Sequence, residues 1–511
     1  MQAALHRILL IVLSCSLLPA AVVRAQGPDA LANAARDQDY VRYSQLLDQA
    51  RDVDAFSDDG TPALHWLVRF NDLDRVRELL SRGADPALAN RYRVQPMQIA
   101  AEYGYTDMLG LLLEYGASED ARGPTGEPVL FGAIRSGNMA AVDLLLARGA
   151  DIHATDPVFA QTALMVAVRE NNPVIVGKLL ALGADVNAYT QMGEVPEFRP
   201  PGAGGGSHGV GIVRGGWPEQ GMRNPIPGKL TALLFAARDG HTIIARQLLD
   251  AGAHIEDPSA NETSPLVMAI MNDNIDLARL LIERGANVNS MDWYGQTPLW
   301  TAVDLRNKDL NSRTMVHDVD RAPVFELIEV LLDQGADPDA RTREVPPLRR
   351  WDMGLGSLAW VDFTGQTAFL RAALSGDLAV MQLLLDHGAD PHIPTFGGTT
   401  PLMAAAGVNW VFNQTFDEGQ DALLATVQLC VALGMDVNAE NSMGLRAIHG
   451  AANRGSDAII AYLFEQGADL QAQDHEGRTP MTWAEGVFLA THAPFAKESS
   501  IALLNRLLAQ R

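Results

Sequence analysis

The tripeptide Gly-Ala-Asp returns along the chain at a spacing that no single globular core would impose. It stands at Gly83-Ala84-Asp85, Gly149-Ala150-Asp151, Gly183-Ala184-Asp185, Gly335-Ala336-Asp337, Gly388-Ala389-Asp390 and Gly467-Ala468-Asp469. Variants stand at Gly116-Ala117-Ser118, Gly252-Ala253-His254, Gly285-Ala286-Asn287 and Gly434-Met435-Asp436. Where nothing intervenes the period is 33 residues, as from Gly83 to Gly116 and from Gly252 to Gly285. A fixed period of this length marks stacked supersecondary units. The 511 residues are therefore read as one repeat array, not as the three or so globular domains that length alone would allow.

Each repeat carries its own start and stop signals. An apolar residue lies 19 positions before the glycine, inside phrases such as Ser264-Pro265-Leu266, Thr297-Pro298-Leu299 and Thr400-Pro401-Leu402. Thr-Pro opens a helix, with the hydroxyl as cap and proline in the first turn, where its missing N–H is no loss. Leu-Leu, as at Leu79-Leu80 and Leu280-Leu281, marks a second helix. The glycine closes it in the left-handed cap conformation, and Asp or Asn starts a turn. The key apolar residues are Leu31, Leu64, Met97, Leu130, Leu164, Leu233, Leu266, Leu299, Phe369, Leu402, Ile448 and Met481, which count twelve units. The first unit has Ala50 where the glycine belongs and the last ends at Arg511 on that position, as terminal caps with altered sequence do.

These phrases at these offsets resemble the ankyrin repeat family, over nearly all of residues 29–511. The resemblance implies an all-α solenoid of about twelve helix-turn-helix units with hairpin fingers, capped at both ends. It also implies protein–protein recognition without chemistry, no cofactor, and a structural hydrogen-bonding role for His65 and His449. Trp300 stands where the family commonly has that histidine.

The regular spacing breaks at five places. The usual step of 14 from the glycine to the next key residue grows to 50 between Gly183 and Leu233 and to 34 between Gly335 and Phe369. These two insertions, near 190–229 and 341–363, fall in the fingers. The usual step of 19 inside a repeat grows to 36 from Leu299, to 32 from Leu402 and to 30 from Met481. Those insertions, near 305–322, 408–420 and 486–498, fall at the turn between the two helices. Trp217, Trp351, Trp360 and Trp410 lie within or beside insertions, and Trp293, Tyr294 and Trp300 flank another finger. Arg341, Arg343, Arg349 and Arg350 form a basic island. Tryptophan and arginine dominate interface hot spots, and arginine forks pair bidentately with carboxylates, so these eleven residues are the candidates for holding a partner. The competing reading is that the aromatics fold the insertions onto the repeats as small satellite cores.

Residues 1–25 have a basic start, an apolar run from Ile8 to Leu18, and small residues up to Val23-Arg24-Ala25. This is a secretory signal layout with cleavage expected after Ala25, and it predicts a periplasmic or secreted protein. Only four of the 39 basic residues are lysine, a skew read as a GC-rich, bacterial coding bias. The net charge of −23 argues against nucleic-acid binding, which needs a basic footprint, and predicts a monomer. Loss of Cys15 with the leader would leave Cys430 alone, so neither an internal disulfide nor a Cys-based zinc site can form.

Catalytic signals are weak. Gly205-Gly206-Ser207-His208-Gly209 has the letters of a nucleophile elbow but lacks the strand and helix that would strain the serine outward. His387 and His392 with Asp386 and Asp390, and His317 with Asp309, Asp318 and Asp320, lack recognised metal-ligand spacing. The chain is read as an exported, non-enzymatic scaffold that holds a protein on its concave face and finger insertions. The alternative is a small-ligand or enzymatic site built from residues 196–228 and 341–363.

Overall fold

In a computed structural model, the repeat phrases form the local structures their chemistry calls for. The Thr297 hydroxyl accepts the Trp300 N–H at 3.2 Å, and Pro298 opens the helix Pro298–Arg306. Ser264 and Thr400 cap Pro265–Met271 and Pro401–Ala406 in the same way. A second helix packs on each first helix, giving twelve pairs from Ala30–Arg36 with Tyr40–Leu47 to Pro480–Gly486 with Glu498–Leu508. The structure describes residues 29–192, 228–308, 321–343, 364–410, 416, 418–487 and 495–510. The leader-like residues 1–25 lie outside these, as does most of every insertion except the one near 408–420. Among the described residues every element is a helix, and the fingers carry only isolated bridges such as Phe56–Pro62 and Arg122–Pro128.

The chain divides into two compact bodies, Met1–Asp151 with repeats one to four and Ile152–Arg511 with repeats five to twelve. In each body the core is a row of key residues packed between neighbouring first helices. Eleven of the twelve are buried, and Met481 of the last repeat is half-buried. No repeat could bury this face alone, so stacking supplies the stability.

A second tie joins repeats outside the core. At six of the ten glycines the polar residue four positions further on reaches the backbone N–H of the next repeat. Asp120 accepts from Asp151 at 3.0 Å, Asn289 from Asp337 at 2.7 Å and Asn438 from Asp469 at 2.9 Å. The family histidines behave as the resemblance implies. His65 Nε2 lies 2.8 Å from the Val94 carbonyl and His449 Nε2 lies 3.1 Å from that of Ala472. Burial holds both imidazoles below their ordinary pKa.

Gly252 and Gly285 have φ of +91° and +87°, and a Cβ there would meet nothing within 4 Å. Substitution is opposed by backbone conformation alone. Gly252→Val is expected to lose roughly 1–2 kcal/mol locally. Amide exchange in Thr242–Asp250 should accelerate; unchanged protection would show that the repeat register is wrong.

The insertions at the helix turns lengthen the second helix by about one turn. Repeats eight, ten and twelve have second helices of 12, 13 and 11 residues, against nine in repeats two, seven and eleven. Their bases in repeats eight and ten are tied by a buried ionic network. Arg371, 3 % exposed, donates from Nε to Asp304 at 2.9 Å, from Nη1 to Ser375 Oγ at 3.1 Å and from Nη2 to the Asn307 carbonyl at 2.7 Å. Lys308 pairs with the other Asp304 oxygen. Arg306 pairs with Asp377 at 2.9 Å, and Arg321 pairs with Glu418 and stacks on Phe416 at 4.1 Å. The Phe416 N–H donates to the Asn307 carbonyl at 3.0 Å. Burial pushes the Asp304 carboxyl up, but Lys308 and Arg371 outweigh it and hold the group below the usual carboxylate range.

Candidate functional site: a finger edge between two insertions

Each finger is named here for the repeat it leads into. In the second body the finger tips are zipped by a one-way series of backbone hydrogen bonds. The tip N–H of one finger donates to the tip carbonyl of the finger before it. The pairs are Gln191 to Phe159, Ala260 to Gly228, Trp293 to Asn261, Arg343 to Tyr294, Phe396 to Thr364, Ser442 to Gly397 and His475 to Met443, all at 2.8–3.1 Å. Both finger insertions leave and re-enter the chain within this series. The neck of the first is closed by the bridges Tyr189–Thr231 and Met192–Gly228. The neck of the second is closed by Gly365 N–H on the Thr342 carbonyl at 2.8 Å and Thr342 N–H on the Gln366 carbonyl at 3.0 Å. The insertions thus occupy fingers six and nine, and the tips of fingers seven and eight lie between their necks.

That stretch holds part of the expected set. Trp293 and Tyr294 form the tip of finger eight, half-buried and packed edge to face at 82° with centroids 4.9 Å apart. Arg343 follows on finger nine, joined to Tyr294 through its backbone. Arg341 lies on the other side of that neck and is engaged within the protein. Its Nη2 donates to the Pro394 carbonyl at 2.6 Å, its Nε to that of Gly365 at 3.2 Å, and its guanidinium stacks on Phe396 at 4.3 Å. At the first neck Phe159 and Tyr189 are each 60 % exposed, which extends the apolar character of this edge.

Two candidates are placed elsewhere. Trp300 is 2 % exposed inside the first helix of repeat eight, so it fills the core rather than a surface. Its register explains this, since His65 and His449 at the same position also point into the stack. Trp410 sits at the turn between the helices of repeat ten, packed on Leu370, Leu374 and Ala404 with the Arg454 guanidinium 5.1 Å from its ring centroid. It is folded onto its own repeats, as the satellite-core reading expects. Trp217, Arg349, Arg350, Trp351 and Trp360 lie outside the described residues.

Asp292, at the base of finger eight, was not among the expected residues. It is 1 % exposed; one oxygen accepts the Gln296 N–H at 2.8 Å, and Oδ2 has no donor. Burial pushes its carboxyl up to about 7, against backbone N–H groups of Gln296 and Tyr294, with Glu262 adding to the rise and Arg343 opposing it. The matching residue of finger twelve shows what is missing. Burial also pushes Asp474 up, but there the Arg478 backbone and guanidinium and the Trp483 indole N–H outweigh it, and the carboxyl is held low. Gln296 replaces that arginine in finger eight. The signal was legible as an Asp-x-x-x-Gln pattern where the other finger has Asp-x-x-x-Arg.

A helical repeat stack with zipped hairpin fingers defines the class. The family comparison then agrees with it. A profile described as "Ankyrin repeats (3 copies)" matches residues 64–156, 97–190 and 233–342, and one described as "Ankyrin repeat" matches 364–393, together more than half of the chain. The chain belongs to the ankyrin repeat family. It is 30 % identical over 196 residues to the transient receptor potential cation channel subfamily A member 1 homolog of Caenorhabditis elegans, covering 35 % of this chain and 15 % of that protein. It is 32 % identical over 120 residues to ankyrin repeat and SOCS box protein 3 of Bos taurus, covering 23 % of this chain and 20 % of that one. The matched part spans a fifth or less of these relatives. Among solved structures, the ankyrin repeat domain of Bcl-3 aligns at 25 % identity with a TM-score of 0.38, over 49 % of this chain and 97 % of that one. Ankyrin repeats are generally protein-interaction scaffolds, which is consistent with a binding role for this chain. No helix among the described residues is long and apolar enough to cross a membrane.

Proposed function

We propose that this protein is an exported scaffold of bacterial type that recognises one partner protein along the finger edge between fingers six and nine, without catalysing a reaction. The observation that carries the reading is the placement of the two finger insertions. Both emerge at tips, both leave the backbone series intact, and together they bracket Trp293 and Tyr294. A rigid aromatic pair beside an arginine-rich chain segment is the composition that anchors interfaces. The export element rests on the signal layout of residues 1–25.

The test is capture by photo-crosslinking from the envelope fraction of the native host, with the intact chain beside two variants. One lacks residues 194–226 and 345–362, leaving both necks. The other carries Trp293→Ala with Tyr294→Ala. A partner held by the intact chain should bind the aromatic variant about thirtyfold more weakly, the loss of a hot spot. Equal capture by all three chains would place recognition elsewhere. N-terminal sequencing of the exported chain should begin at Gln26; a chain retained in the cytoplasm with Met1 intact would refute export.

A further inference from the structure

The base of finger eight holds two buried oxygens that only a proton can join. The turn 292–295 carries Trp293 and Tyr294 at its middle, and backbone groups close it. Asp292 N–H donates to the Gln296 carbonyl at 3.1 Å, and Gly295 N–H to that of Asp292 at 2.9 Å. Gln296 N–H donates to Asp292 Oδ1 at 2.8 Å. Residues 292 and 296 are thus held face to face. Asp292 Oδ2 and Gln296 Oε1 have no hydrogen-bond partner, and the two residues are 1 % and 2 % exposed. Two buried acceptors left unmatched are costly. In finger twelve, Arg478 Nε lies 2.7 Å from Asp474 Oδ2. Gln296 stands at the Arg478 position, and arginine Nε and glutamine Oε1 hang from the same carbon, Cδ. The Gln296 oxygen therefore has the reach with which Arg478 meets its aspartate. An acceptor replaces a donor there, so the pair closes only if Asp292 brings the hydrogen.

Finger nine rests directly on this turn. Gly295 has φ of +79°, and a Cβ on it would lie 2.5 Å from the Arg343 backbone nitrogen and 2.9 Å from Arg343 Cγ. Arg343 N–H bonds the Tyr294 carbonyl, and Trp293 N–H bonds the Asn261 carbonyl of finger seven. A change at the base of the turn is therefore passed to the aromatic pair and to both neighbouring tips. The charged groups that act on Asp292 come from those neighbours. Glu262 of finger seven opposes its ionisation, and the exposed Arg343 of finger nine favours it. A carboxylate buried without a donor is unstable where it sits, and the Arg343 guanidinium is the cation its charge would draw.

We propose that Asp292 Oδ2–H donates to Gln296 Oε1 and that this bond is a pH-sensitive latch on the Trp293–Tyr294 turn. Closed, it presents the aromatic pair along the finger edge. Ionised, it releases the turn toward Arg343 and weakens recognition there. The latch stands on the two oxygens and the register; its effect on recognition rests on the finger-edge reading.

Infrared difference spectroscopy on the full chain tests the proton. Wild type minus Asp292→Asn should show a protonated carboxyl band in acid that fades through about pH 7. Exchange protection of finger eight, corrected for intrinsic rates, should fall about tenfold per pH unit from 3.8, where the open turn ionises, to about 7, and level off above. Gln296→Arg restores the pairing of finger twelve, so the band should vanish and protection should no longer fall over this range. Gln296→Leu leaves Asp292 buried but removes the acceptor. There the band should remain, while protection at about pH 5 drops about tenfold, the loss of one hydrogen bond. A captured partner should be held at least tenfold more tightly at about pH 5 than at about pH 8 by the intact chain, and equally at both by Gln296→Arg. No band in the intact chain, or full protection in Gln296→Leu, would overturn the latch whether or not a partner is found. The band together with pH-independent capture would overturn its effect on recognition and leave the finger-edge reading standing. That reading fails separately, on the Trp293→Ala, Tyr294→Ala variant.

Discussion

Replacing Arg371 with methionine is expected to cost the region of repeats eight to ten about 3–5 kcal/mol, the range for removing one partner of a buried ion pair. The substitution strips Asp304, the Ser375 hydroxyl and the Asn307 carbonyl of one donor each. Lys308 still pairs with Asp304, so the loss should fall toward the lower end. The sign with pH is fixed by the depressed Asp304 carboxyl. Its contribution is present above the ordinary carboxylate range and disappears as pH falls through the folded value. The wild-type advantage over Arg371→Met should therefore shrink in acid. Long repeat arrays need not unfold in one step, so amide exchange in Pro298–Arg306 and Ala368–Ser375 is the right readout. The double variant Asp304→Leu, Arg371→Met should recover much of the loss, because no unpaired charge remains. Equal protection in wild type and the single variant would show that the network carries no net stability.

Asp292→Asn should act in the opposite direction. The folded chain keeps a proton on Asp292 up to about pH 7, whereas the unfolded chain releases it near the ordinary value of 3.8. Ionisation thus drains stability as pH rises between these values. At 1.36 kcal/mol per unit the full effect is roughly 4 kcal/mol. Asparagine keeps the acceptor for the Gln296 N–H and cannot ionise. Fingers three and eleven already use it there, where Asn90 accepts from Val94 and Asn441 from Leu445, each at 3.0 Å. The variant should match wild type at pH 4 and exceed it by a few kcal/mol at pH 8, read as exchange protection of finger eight. A difference that does not change across this range would mean that Asp292 is ionised throughout.

The architecture was readable because every repeat solves the same packing problem with the same residues. One period and a few offsets sufficed to locate all twelve helix pairs. Trp300 shows where the reading slipped. Nearness to a finger suggested a surface anchor, whereas its register beside the key residue Leu299 dictates that it faces the stack. Asp304 and Arg371 were visible in principle as register anomalies. The Asp304 position holds arginine in repeats one, two, four, five and six, and Arg371 is the charged member of an otherwise uncharged column. What a linear pattern cannot show is convergence. Arg306 and Asp377 stand 71 residues apart in the chain and pair only because the repeats stack.

The zipped fingers have a consequence for how such a protein can diverge. Each neck completes its hydrogen bonds before the inserted chain departs, so the stack senses only two crossing points and not the length of what hangs from them. Loop-closure entropy rises slowly, by about 0.6 kcal/mol for each doubling of length. A tip can therefore be lengthened, rewritten or exchanged for a foreign sequence at little thermodynamic cost to its neighbours. The edge behaves as a rack of interchangeable sockets, in which specificity can drift quickly while the frame that carries it stands still.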